Sequence, residues 1–242
     1  MKIKESDLSN PVVKYFEDLD YAVNCEVNGI DIVARKEEYL IAIELKLSFN
    51  MKLLFQVMDR LKFADEVYVA LPRPKRRSKD LTKIRQLAEL LNFGILFVDT
   101  GITRHVEPLY IPQSGNKPRN NKRKCRTNKE AASRSVELNT GGVRSVKIIT
   151  AYREKCIAAA SVMQIMGDVS TKELRTEYNF DKDIANVLRK NYYKWFEQTS
   201  DKRYALTAAA QDEIAATPEF KRLFDAYLEK YTRGFRTIDN RQ

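Results

Sequence analysis

The chain has 242 residues, a formal net charge of +10, three cysteines and one histidine. Its length exceeds the usual size of one domain, about 100 to 150 residues, so two domains are expected. The single histidine excludes His-dependent nucleophiles, HNH-type nucleases and two-histidine zinc sites, and the widely spaced cysteines argue against a disulfide framework. Because apolar runs such as YLIAI are far shorter than a membrane span and MKIKESDL lacks a secretory signal, we expect a cytoplasmic protein with no membrane partner.

Helices and strands alternate in the N-terminal part of the sequence. The predicted elements are a helix over 6–19, strands over 21–27, 30–35 and 39–47, a helix over 51–64, a strand over 66–72, a helix over 78–92 and a strand over 93–99. The order αβββαβαβ predicts an α/β fold class with a mixed sheet flanked by helices. We take residues 1–112 as the first domain.

Basic residues concentrate in two blocks. Residues 113–147 contain ten Lys or Arg against two Glu, and their Asn, Ser and Gly content predicts a basic flexible linker. Residues 72–85 contain seven basic residues against one Asp. Such clusters indicate a polyanion partner, because neutralising phosphates releases counterions. We expect DNA, while RNA fits these blocks equally well, and a solvated basic face is the simpler alternative.

The C-terminal part, residues 148–242, is predominantly helical. A helix over 148–166 is followed by STKELRTEY, which begins with a capping box of Ser170 and Glu173. A third helix is predicted over 181–198, Thr207 can cap a further helix, and Pro218 can begin the closing one. The aromatic stripe of the closing helix predicts packing on its own domain, and a homodimer is a second use for it.

The predicted helix over 181–198 has one apolar side and one polar side. The polar side collects side chains that read bases or phosphates, and DKRYALT after it forms a hairpin with a basic tip. The predicted DNA-binding residues are Lys182, Asn186, Arg189, Tyr193, Lys202 and Arg203. This arrangement resembles a winged helix, a helix-turn-helix variant. An ordinary helical bundle with a polar outer face is the alternative.

The stretch NGIDIVARKEEYLIAIELKLSFN predicts two hairpins with charged residues inside apolar strands. If the second turn is centred between residues 37 and 38, Asp31 faces Glu44 across the ladder and Lys46 shares their face. The Asn-Gly turn at 28–29 likewise places Glu26 beside Asp31. The opposite face is predicted to be wholly apolar and consists of Ile30, Ile32, Ala34, Ile41, Ile43, Leu45 and Leu47.

Three carboxylates on one sheet face repel one another, and a divalent cation would relieve that repulsion. Mg²⁺, or Mn²⁺ in its place, prefers such oxygen ligands, polarises a phosphoryl oxygen and acidifies water. Lys46 can stabilise or orient the attacking hydroxide and the developing phosphorane charge. The pattern therefore predicts phosphodiester hydrolysis. A solvent-exposed sheet face with a cross-strand pair of Glu44 and Lys46 is the alternative interpretation.

Asp31 followed by Glu44-Leu45-Lys46 resembles the core motif of PD-(D/E)XK nucleases. The N-terminal 1–112 part is most similar to an uncharacterised group of PD-(D/E)XK-type phosphodiesterases, in which a helix with a glutamine follows the E-x-K strand. The resemblance implies a restriction-endonuclease-like αβββαβ core, with Asp31 and Glu44 as metal ligands.

The same resemblance assigns two further positions. Glu5 matches the acidic residue of the first helix, and Gln56 matches the glutamine. Ile30 stands where the family name has proline, and Arg60 stands where nucleases of the RecB kind often have tyrosine. The whole pattern predicts a metal-dependent nuclease with a winged-helix DNA-binding domain. The rival interpretation is a non-catalytic DNA-binding regulator on a degenerate nuclease scaffold.

Overall fold

The computed structural model describes residues 3–74, 79–101, 105–113, 120–135, 139–142, 147–199 and 202–239. The chain divides into two compact units, Met1–Ile148 and Ile149–Gln242. Within these described ranges, each helix is too short or too polar to cross a membrane.

The first unit contains the predicted alternation of helices and strands. Its elements are a 3₁₀ turn Glu5–Leu8, α1 Ser9–Glu17, β1 Ala22–Val27, β2 Ile30–Lys36, β3 Tyr39–Leu45, α2 Met51–Leu61, β4 Glu66–Pro72, α3 Lys79–Leu91, β5 Gly94–Val98, β6 Val106–Tyr110 and α4 Asn121–Ala132. Strand β6 and helix α4 were not predicted. The predicted first helix is divided, because the chain begins with a 3₁₀ turn before α1.

A six-stranded mixed sheet in the order β1-β2-β3-β4-β5-β6 forms the centre of this unit. Strands β3, β4 and β5 run parallel, and the other neighbours are antiparallel. Helix α1 packs on one face through Val12 and Phe16. Helices α2, α3 and α4 cover the other face through side chains such as Val57, Ala88 and Ala131. The expectation of a mixed sheet flanked by helices is confirmed.

The predicted hairpin registers are confirmed by the strand pairs. Ile32 pairs with Ile43 in one hairpin and with Cys25 in the other. The predicted apolar face is confirmed for Ile32, Ala34, Ile41, Ile43 and Leu45, but Ile30 packs on the α2 side of the sheet and Leu47 is exposed. Glu26 has a left-handed φ of 54°, and its neighbours Cys25 and Val27 pack on opposite faces of the sheet, so the side-chain alternation of β1 is interrupted there although the pairing register continues.

The described part of the predicted linker is folded and belongs to the first unit, so the expectation of a flexible chain over 113–147 does not hold there. Helix α4 buries Thr127 and Ala131, and Asn120 N–H donates to the carbonyl of Lys62. Arg134 donates to the carbonyls of Cys25 and Glu26 in β1. The helix carries no large aliphatic side chain, so its inner face gave little signal in the sequence.

The second unit combines helices with a small antiparallel sheet. Its elements are α5 Ala151–Met166, β7 Asp168–Ser170, α6 Thr171–Thr176, α7 Ile184–Lys190, β8 Phe196–Gln198, β9 Arg203–Leu206, α8 Ala208–Ala216 and α9 Pro218–Asp239. The strands lie in the order β7-β9-β8. The capping box of Ser170 and Glu173, the cap at Thr207 and the start of α9 at Pro218 are confirmed.

Helix α7 ends eight residues before the predicted boundary at residue 198. Asn191 takes a left-handed conformation with a φ of 41°, which ends the helix. Its side-chain oxygen accepts from Phe196 N–H, and its amide donates to the Phe196 carbonyl, so the chain turns into β8. Trp195 is buried, and its indole donates to Glu213. The extension of this helix through Trp195 was therefore wrong.

Candidate active site in the first unit

The structure brings together five of the residues predicted for a catalytic site. They come from the 3₁₀ turn, from β2, from the end of β3 and from α2. The residues are Glu5, Asp31, Glu44, Lys46 and Gln56. Their convergence follows from the hairpin register and from α2 lying across β3. Arg60, which the sequence analysis noted only as a departure from a family pattern, also belongs to this group.

Lys46 lies between two carboxylates. Its ammonium nitrogen is 3.4 Å from a carboxylate oxygen of Glu5 and 3.7 Å from one of Asp31. It also donates to the carbonyl of Leu45 at 2.8 Å, and the residue is only 8% exposed. The alternative interpretation, an exposed sheet face with an ion pair of Glu44 and Lys46, is not what the structure contains. The ammonium instead joins the 3₁₀ turn to the β2–β3 hairpin.

Glu44 is completely buried, and both of its carboxylate oxygens accept hydrogen bonds from α2. Gln56 Nε2 donates to one oxygen at 2.9 Å, and Arg60 Nε donates to the other at 2.8 Å. Arg60 also donates to the carbonyl of Gly29 at 2.5 Å and is 7% exposed. Residues four apart lie on the same side of a helix, which is why Gln56 and Arg60 reach the same carboxylate. That spacing was the signal by which Arg60 could have been identified.

Burial raises the pKa of both predicted metal ligands. It raises the pKa of Asp31, although the backbone N–H of Leu45 donates to this carboxylate at 2.8 Å and acts in the opposite direction. Burial, followed by the charge of Asp31, raises the pKa of Glu44 to about 7, against the attraction of Arg60. The loss of hydration is the largest cause for both groups, and repulsion by Asp31 adds to it at Glu44.

Glu26 does not join the other carboxylates. One of its carboxylate oxygens accepts the backbone N–H of Gly142 at 2.9 Å. The neighbouring Gly141 lies so close to β2 that a Cβ there would be 2.8 Å from the carbonyl oxygen of Asp31. Gly142 has a φ of 73° and lies against Glu5. The segment 139–142, here called the glycine strap, thus packs directly against the site.

The oxygen-rich donors of the site fit a hard divalent cation such as Mg²⁺ or Mn²⁺. Asp31 and Glu44 provide carboxylate oxygens, each of which can accept more than one interaction. The side-chain oxygen of Gln56 is buried beside them and has no hydrogen-bond partner in the described part of the chain. No group of three or more His, Cys, Asp or Glu side chains suited to a metal occurs among the described residues.

The predicted DNA-binding residues of the second unit separate into two groups. Lys182, Asn186 and Arg189 are exposed at α7, where Arg189 donates to Asn186, and Lys202 is exposed before β9. Tyr193 instead lies after the helix, packed against Tyr152 and Trp195 and under the guanidinium of Arg153. Its assignment to the polar side of a helix was wrong because α7 ends at Lys190.

Arg203 makes contacts within its own small sheet. Its guanidinium pairs with Asp168 at 2.8 Å and with Glu173 at 3.0 Å. These bonds connect β9 to β7 and to the first turn of α6. Arg203 was predicted to contact DNA from the tip of a wing, but its side chain is already paired with Asp168 and Glu173 within the unit. Residues 200 and 201 of that tip, and 75–78 of the first basic block, lie outside the described residues.

The six-stranded mixed sheet flanked by helices is compatible with a PD-(D/E)XK core. A family model described as "Putative PD-(D/E)XK phosphodiesterase (DUF2161)" matches residues 96–213. This match supports a phosphodiesterase, and hence a hydrolase. Searches of curated proteins and of solved structures gave no match.

The family match and the N-terminal motif cover different parts of the chain. The match extends over just under half of the sequence, from within β5 to within α8. It includes the glycine strap but none of Glu5, Asp31, Glu44, Lys46 and Gln56. The resemblance described for 1–112 overlaps it only at residues 96–112. The roles of the site residues consequently depend on their geometry and chemistry.

Proposed function

We propose that the chain is a Mg²⁺- or Mn²⁺-dependent nuclease that hydrolyses phosphodiester bonds in DNA. The observation that carries this proposal is the convergence of Asp31, Glu44 and Lys46 in one buried cluster with Glu5 and Gln56. Such a cluster of charges is costly to bury, so its presence favours a function beyond folding.

Each residue has a role that its contacts support. Asp31 and Glu44 would hold the cation, which when bound supplies Lewis acidity at the scissile phosphate and makes water more acidic. Lys46 donates toward the attacking oxygen and stabilises the charge that develops on phosphorus oxygens. Glu5 orients the ammonium of Lys46, and Gln56 orients the carboxylate of Glu44.

The second unit would supply DNA affinity as a winged-helix domain. Its element order, α5-β7-α6-α7-β8-β9 with a three-stranded antiparallel sheet, supports this proposal. Helix α7 would enter the major groove with Asn186 and Arg189 outward and Lys182 just before its start, and Lys202 would contact phosphate. The stripe of α9 packs on its own unit through Phe220 and Leu223, so a homodimer remains a prediction without further support.

The cleavage test uses plasmid, duplex, single-stranded and branched DNA, together with structured RNA, in Mg²⁺ and in Mn²⁺. Cleavage by wild type should fall by about 10³-fold or more in Asp31→Asn, Glu44→Gln and Lys46→Met, because each removes a charge that acts in the transition state. Asp59→Asn is the matched control, since Asp59 is an exposed α2 carboxylate paired with Lys62. Preferential cutting of RNA would revise the substrate.

The rival function, a DNA-binding regulator on an inactive scaffold, is favoured by one observation. The carboxylate of Glu44 already accepts from both Gln56 and Arg60, so an internal cation occupies its neighbourhood. Wild type that binds DNA with normal salt dependence but cuts no substrate in either metal would establish the regulator and overturn the nuclease.

A further inference from the structure

Helix α4 exposes an unbroken line of positive charge. Lys122, Arg126 and Lys129 are all exposed, and their spacing of four and three residues places them on one side of the helix. No ion pair involves any of the three within the part of the chain that the structure describes. These three residues are here called the basic stripe.

The other basic residues of α4 face inward. Lys124 pairs with Asp65 at 2.7 Å, and the guanidinium of Arg123 lies 4.3 Å from the centre of the Phe63 ring. Thr127 and Ala131 are buried on the same side. Arg123 and Lys124 thus hold the helix in place, whereas the basic stripe extends into solvent. Because the helix fixes the spacing of these charges, the stripe suits a ligand with regularly spaced negative charges.

Helix α4 extends from the end of α2 to β1, the strand whose Glu26 holds the glycine strap against the candidate site. At the start of α4, Asn120 N–H bonds to the carbonyl of Lys62. Beyond its end, Arg134 bonds to the carbonyls of Cys25 and Glu26, and Glu26 in turn holds Gly142 beside the site. The stripe spans about 10 Å at 1.5 Å per residue. That length matches about three phosphates of one nucleic-acid strand.

We propose that the basic stripe binds the phosphate backbone of a nucleic acid and leads one strand to the candidate site. The second part of this proposal, that the strand reaches the candidate site, rests on the proposed nuclease function. Its affinity would be independent of base sequence, because phosphates carry no sequence information. Phosphate binding would also explain why the predicted linker, residues 113–147, is basic although its described part is folded.

The first test measures binding to single-stranded and duplex oligonucleotides of two unrelated sequences in EDTA, over a range of KCl concentrations. The variant Lys122→Gln/Arg126→Gln/Lys129→Gln should lower the slope of log affinity against log salt by about two to three, equally for both sequences. The control Lys14→Gln/Lys36→Gln/Lys221→Gln removes the same charge from scattered exposed sites and should leave the slope nearly unchanged. Equal slopes for both triple variants would overturn the proposal.

A second test uses Cys125, which is exposed within the stripe, whereas Cys25 and Cys156 are buried. A photoactivatable azide attached to Cys125 should crosslink to the same oligonucleotides in EDTA. In the triple stripe variant, most of the crosslinking yield should be lost. Absence of crosslinking in wild type would overturn the stripe. Because neither test requires catalysis, normal crosslinking without any cleavage would instead overturn the nuclease function and keep the stripe as a nucleic-acid surface.

Discussion

The two polar groups predicted from the sequence lie in opposite environments. In the first unit, Glu44 and Arg60 are buried and bonded to each other, and the buried Lys46 pairs with Glu5 and Asp31. In the second, Arg189 of the short helix α7 and Lys182, which precedes it, are exposed to solvent. Charges of the first kind must be compensated for the chain to fold, whereas charges of the second kind are available to a partner. Substitutions in the first group should therefore affect stability as well as activity, and those in the second should affect affinity alone.

Arg60→Met gives the largest expected effect on stability. It leaves the buried carboxylate of Glu44 without its cation, which typically costs about 3 to 5 kcal/mol of unfolding free energy. Urea denaturation in EDTA measures the loss, and Mn²⁺ should restore more stability to this variant than to wild type, because a bound cation can compensate the carboxylate.

The partner substitutions make this prediction specific. Lys62→Met removes an exposed ion pair with Asp59 on the same helix and should cause no measurable loss. The double variant Glu44→Gln/Arg60→Met should be more stable than Arg60→Met, since no buried charge remains without a partner. A double variant at least as unstable as the sum of both single changes would contradict a buried ion pair.

The pH dependence of stability gives the next largest effect. The folded protein holds the Glu44 proton more tightly than an ordinary carboxyl, since its pKa is raised from 4.5 to about 7. The stabilisation from this proton is complete below pH 4.5 and is lost as the pH rises through 7. Relative to Glu44→Gln, wild type should lose on the order of 3 kcal/mol between pH 4.5 and 8 in EDTA. A difference that is constant with pH would refute the raised pKa.

Substitutions in the second unit should have the smallest effects, and they separate stability from DNA binding. Arg203→Gln should lower the unfolding temperature, because its guanidinium joins Asp168 and Glu173 across the small sheet. Lys182→Gln/Arg189→Gln should leave the unfolding temperature unchanged and reduce the salt dependence of DNA binding by about two. If the double variant bound DNA as wild type does, α7 would not be the recognition helix.

Much of the first unit could be predicted because hairpins constrain their residues strongly. Once two-residue turns were assumed, the pairing of Ile32 with Ile43 and of Cys25 with Ile32 followed from counting alone. The same counting brought Asp31 and Glu44 to one end of the hairpin. It did not reveal the left-handed conformation of Glu26, because a positive φ at a glutamate has no sequence signature.

The remaining features depended on contacts between distant parts of the chain. Helix α4 buries small and polar side chains such as Thr127, so it has no apolar period to detect. The end of α7 at Asn191 is fixed by hydrogen bonds to Phe196, and the apolar spacing of Trp195 imitated a continuing helix. The role of Arg60 was not predicted, because its partner Glu44 is 16 residues away in another element.

Strand β1 lies at the edge of the six-stranded sheet, where backbone groups can recruit a strand from another molecule. The guanidinium of Arg134 donates to the carbonyls of Cys25 and Glu26 on this strand, and the backbone N–H of Gly142 donates to the Glu26 carboxylate. Arg134 and Gly142 thus shield the edge of β1, where another molecule could otherwise add a strand. A protein shortened to residues 1–112 would expose this edge strand. Light scattering should then reveal self-association that a version ending at residue 148 avoids.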